Sequence, residues 1–119
     1  MKKNVCALRV THLAANDLTW TDVSKMFKKI GPVCEGYTDE QLVSVWKKIG
    51  IKHKRVKVAM GTILPDFKKA FPKGMYVLSY DDHFTSIVNG KLEDFDRDRE
   101  WFKNNFIKKA YEIVPREEK

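Results

Sequence analysis

Cys6, His83 and Asp94 follow one another along the chain as a thiol, an imidazole and a carboxylate. Together these are the parts of nucleophilic acyl transfer. A thiolate attacks a carbonyl carbon, the imidazole takes and returns the proton, and the acid holds the imidazole in one orientation. Cys6 falls where a first helix is expected to start. The unpaired N–H groups at a helix N-terminus favour a thiolate over a thiol. The anion formed in the reaction needs hydrogen-bond donors. The Cys6 backbone N–H and the Asn4 side-chain amide are the candidates. Cys34, after Pro32-Val33, has no partner pattern and reads as an ordinary thiol, and a Cys6–Cys34 disulfide is not expected in a reducing compartment. His12 and His53 read as surface or structural residues. His12 is six residues beyond Cys6, on another face of the helix.

The elements that must position these groups are legible in outline. Val5, Leu8, Leu13 and the alanines predict a helix over 5–15 with an apolar side. Thr19 or Thr21 caps a second helix to about residue 29, which Gly31-Pro32 ends. Thr38 stands three residues before Gln41, a capping-box spacing, and Leu42, Val45, Trp46 and Ile49 recur at helical intervals up to Gly50. The period then changes. Val56 and Val58 alternate within 52–58, an edge strand. Thr62 is expected to cap a short helix over 64–71 with Pro65 in its first turn. Residues 75–80 and 83–88 read as strands, with a return strand over 91–95. The acidic stretch 96–100 reads as a loop or helix start, and 110–114 as a last strand. Helices followed by strands indicate an α+β fold.

Asn89-Gly90 is the strongest short-range hairpin signal in the chain. With a two-residue turn there, residue i pairs with residue 179 − i, so Val88 faces Lys91 and Thr85 faces Asp94. Positions 83 and 85 then share a face with 92 and 94. Asp94 lies on the diagonal from His83, about 7–8 Å away between backbones, within reach of a carboxylate and an imidazole.

In this order the residues resemble the papain-like cysteine peptidase superfamily, in particular its small phage and plasmid members and, more distantly, the bacteriocin-processing double-glycine peptidases. The matching stretches are Cys6-Ala7-Leu8-Arg9, the Thr62 to Phe67 segment, Phe71-Pro72-Lys73-Gly74-Met75-Tyr76-Val77-Leu78, and the run from His83 to Asp94 that includes Asn89-Gly90. The likeness spans nearly the whole chain. It implies a single papain-like domain over 1–119, with N-terminal helices packed on an antiparallel sheet. It also implies a cysteine-dependent peptidase or amidase with Cys6 as nucleophile, His83 as base and acid, and Asp94 orienting His83. The substrate would be a peptide or protein of a host cell, met in its cytoplasm, with no cofactor required.

Composition narrows the classes further. The chain has 119 residues, enough for one domain, and 43% are hydrophobic, which excludes a wholly disordered polymer. Two cysteines do not make a disulfide scaffold, and no Cys/His spacing resembles a zinc motif. No run of about 18 apolar residues suggests a membrane span. Arg9, His12, Asn16 and Asp17 interrupt what would be the apolar core of a signal peptide, so a cytoplasmic protein is expected. The net charge of +7 is concentrated over 47–73, where nine Lys or Arg meet one acid, Asp66. Lys52, Lys54, Arg55 and Lys57 form its centre. Such a stretch suits a solvated face. It also suits a non-enzymatic alternative in which the protein binds nucleic acid or an acidic host protein by charge.

Overall fold

The computed structural model describes residues 3–15, 17–30, 37–81, 83–93 and 99–114. Among them the fold is α+β, with five helices and five strands. The helices are α1 (Lys3–Ala14), α2 (Trp20–Lys28), α3 (Asp39–Ile49), α4 (Leu64–Ala70) and α5 (Arg99–Lys103). The strands are β1 (Lys52–Val56), β2 (Met75–Ser79), β3 (Phe84–Val88), β4 (Lys91–Glu93) and β5 (Lys109–Val114). Among the described residues no helix is long and apolar enough to cross a membrane. Contacts concentrate in two compact units, one of residues 1–52 with 114–119 and the other of 53–113.

In the first unit, α1 packs against α2 and α3. Cys6, Ala7, Leu8, Val10, Thr11 and Ala14 are buried, a wider arc than one amphipathic stripe. Leu13, expected on the apolar side, is instead exposed. Thr11 is buried with its hydroxyl accepting from the Trp46 indole N–H at 3.0 Å, which ties α1 to α3. Thr19, not Thr21, caps α2, in a reciprocal box with Asp22. Thr38 and Gln41 form the second box, and Gly50 ends α3 in the left-handed conformation.

The second unit is built on the sheet. Strand order is β1-β5-β2-β3-β4, so the last strand in sequence inserts beside β2 rather than adding to an edge. β2 pairs antiparallel with both β3 and β5, and β3 with β4. β2 is buried at every position, which explains its nearly unbroken apolar run. Tyr76, Leu78 and Ile87 point to one face, where Leu64 and Phe67 of α4 and Phe102 of α5 close the core. Thr62 does not cap α4. Ile63 holds that position without a side-chain bond, and the Thr62 hydroxyl donates to the Ala59 carbonyl at 2.7 Å. Pro65 sits in the first turn as expected.

The hairpin forms at the predicted register, with Val88 opposite Lys91, Ile87 opposite Leu92 and Ser86 opposite Glu93. Asn89 (φ 51°) and Gly90 (φ 81°) both take the positive φ that a two-residue turn of this twist demands. The turn is clamped from outside. The Asn89 N–H donates to the Gly74 carbonyl at 2.8 Å, and the Gly74 N–H donates to Asn89 Oδ1 at 2.9 Å.

Candidate active site

Cys6 lies in α1, buried to 2% exposure. The helix already includes Lys3, so Cys6 is its fourth residue rather than its first. That position is within the first turn and a little beyond the helix start expected from the sequence. Asn4 also falls within α1, but its side chain lies outside the described residues, as do Cys34, Asp82 and Asp94.

His83 precedes the first residue of β3, one position later than the strand start expected from the sequence. Its carbonyl accepts from the Tyr80 N–H at 2.8 Å, which closes the β2–β3 connection. Strand alternation puts it on the face of Tyr80, Thr85 and Ile87. That face is the one α4 and α5 cover, and His83 is 2% exposed. The imidazole meets the Trp101 ring edge-on at 5.4 Å between centroids and Phe102 at 6.3 Å. Tyr80 packs on the same two rings at 5.0 and 5.6 Å. Two aromatic side chains, Trp101 and Phe102, thus pack against the imidazole. Thr85, two residues on and on the same face, is buried with its hydroxyl unpaired among the described residues.

The aromatic packing around His83 is what sequence reasoning missed. Trp101 and Phe102 are adjacent in sequence and gave no clear period, and their meeting with residue 83 depends on how α5 folds back over the sheet. Cys6 belongs to the first compact unit and His83 to the second.

No family model matches the chain, and neither a curated protein nor a solved structure matches it.

The other two histidines also contact aromatic rings. His12 Nε2 lies 3.0 Å from the Leu18 carbonyl, and its ring meets Trp20 edge-on. His53 meets the ring of Tyr111, a residue of the neighbouring strand, edge-on. No group of three potential metal ligands occurs among the described residues. Of the basic stretch, Lys52, Lys54, Arg55 and Lys57 are all exposed. Three of them lie on β1, an edge strand, where alternation puts Lys52 and Lys54 on one face and Arg55 on the other. Cations on an edge strand also discourage pairing with a second sheet.

Proposed function

We propose that the protein is a small papain-like cysteine hydrolase, a peptidase or amidase, with Cys6 as nucleophile, His83 as general base and acid, and Asp94 orienting His83. The observation that carries this reading is His83. It is a buried imidazole at the head of a hairpin with the predicted register, and its ring is packed by Trp101 and Phe102. A thiol on the first helix and an imidazole leading into an antiparallel strand also follow the order of the papain-like pattern. Asp94 enters the reading from its sequence spacing.

In the reaction, His83 takes the Cys6 proton and the sulfur attacks the carbonyl carbon. The imidazolium returns the proton to the leaving nitrogen as the C–N bond breaks, and a thioester remains. Water, deprotonated by His83, then attacks the thioester and releases the acid and the Cys6 thiol.

The test is selective alkylation. Iodoacetamide should label Cys6 faster than Cys34, and His83→Ala should remove that difference. Turnover of a peptide or amide library should vanish in Cys6→Ala. Labelling of Cys6 no faster than Cys34, or turnover retained in Cys6→Ala, refutes the proposal. A second reading keeps the fold as a binding scaffold and uses the exposed Lys52, Lys54, Arg55 and Lys57. It requires binding that falls steeply with salt and survives Cys6→Ala.

A further inference from the structure

The second unit carries a groove of about 870 Å³ that has no part in the proposed chemistry. It lies between α4, the β3–β4 turn and α5. Leu64, Pro65, Leu92 and Phe102 supply its apolar lining. Lys68, Lys69, Lys91 and Lys103 stand around it. Among the described residues no carboxylate lines the groove, and none of the four lysines is in an ion pair. These lysines come from three separate elements around one apolar depression, and an anionic occupant would complement their charge.

We propose that this groove is a docking site for an acidic peptide segment of a partner protein, one apolar side chain of which seats on the lining while flanking carboxylates meet the lysines. The volume falls in the range of ligand-sized clefts, and the mix of apolar lining and a few charged groups is what such sites use for orientation. The observations favour a peptide over a nucleic acid. Single strands are held by stacking bases on exposed aromatic faces. Among the described lining residues the one aromatic, Phe102, is 1% exposed and offers no such face. The site differs from the β1 cations, which flank no groove of this kind, and it does not depend on the hydrolase reading.

The test uses three fluorescent probes: an acidic peptide of Asp and Glu around one Leu and one Phe, the same peptide with both anchors replaced by Ser, and a short thymidine oligonucleotide. Fluorescence anisotropy at low salt should show the anchored peptide binding best. The variant Lys68→Gln/Lys69→Gln/Lys91→Gln/Lys103→Gln should weaken it about tenfold or more. The variant Lys54→Gln/Arg55→Gln/Lys57→Gln, which removes charge outside the groove, should leave it nearly unchanged. Circular dichroism checks that each variant is folded. Methyl resonances of Leu64 and Leu92 should shift with the anchored peptide alone. Equal binding of the Ser-replaced peptide or the oligonucleotide, equal loss in both charge variants, or no binding of the anchored peptide overturns the proposal.

Discussion

Asn89 makes two separable contributions to the hairpin that leads from β3 into β4, and substitution can read each. Its side-chain oxygen accepts from the Gly74 N–H at 2.9 Å, and its backbone sits at φ 51°. Asn89→Gly keeps the positive φ at little steric cost and removes the hydrogen bond. The pair is exposed, so the expected loss is about 1 kcal/mol. Asn89→Ala removes the bond and also forces an alanine into the left-handed region, which adds about 1 kcal/mol. The total of about 2 kcal/mol corresponds to a melting temperature lower by roughly 8 °C for a chain of this size. Gly90→Ala isolates the conformational part. A Cβ there meets only the Pro72 carbonyl oxygen at 3.5 Å, an ordinary contact, so the φ of 81° alone sets a cost of about 1 kcal/mol. Urea unfolding of the three variants measures these values. Losses of less than about 0.3 kcal/mol in both Asn89 variants would refute the claim that this clamped turn stabilises the register. Register matters beyond stability, because a slip by one residue would turn Leu92 off the core face and Lys91 onto it.

Other expectations follow from buried and ionisable groups. Phe67, 2% exposed between Phe71 and Tyr76, should cost about 3–5 kcal/mol as Phe67→Ala in the same urea assay. Thr85→Val should be neutral or stabilising by up to about 1 kcal/mol, because the buried hydroxyl has no partner among the described residues; a clear loss would show that it has one. Hydrogen bonds from the Thr19 backbone and then its side chain hold the Asp22 carboxyl below its usual 3.8. Its contribution is therefore present above that value and lost as pH falls through the lower folded value. The advantage of wild type over Asp22→Ala should shrink in unfolding curves below about pH 4. Burial, and then the charge of Glu112, raise the Tyr76 phenol above 10.0. Its contribution is present below that pH and lost as pH rises through the folded value, so Tyr76→Phe should lose stability less steeply in alkali.

Much of the scaffold was readable because its signals are local. The capping box of Thr38 and Gln41, the Gly50 terminator and the Asn89-Gly90 turn each need only neighbouring residues, and backbone sterics dictate the outcome. Thr62 shows where such reasoning stops. Its hydroxyl donates to the Ala59 carbonyl instead of accepting from α4.

The chain by itself determined α1 to α4, the hairpin and its register, since these follow from side-chain period and from the few residues that tolerate positive φ, whereas α5 lies in a stretch that read as a loop or helix start. It also marked Cys6, His83 and Asp94 as chemically able, because residue type and order are sequence properties. Tertiary structure alone decided that β5 inserts beside β2, that Trp101 and Phe102 enclose His83, and that lysines from α4, β4 and α5 surround one groove. Each of these joins residues distant in sequence. They meet because burying apolar surface on both faces of β2 and β3 fixes which elements cover the sheet, and no local signal records that choice.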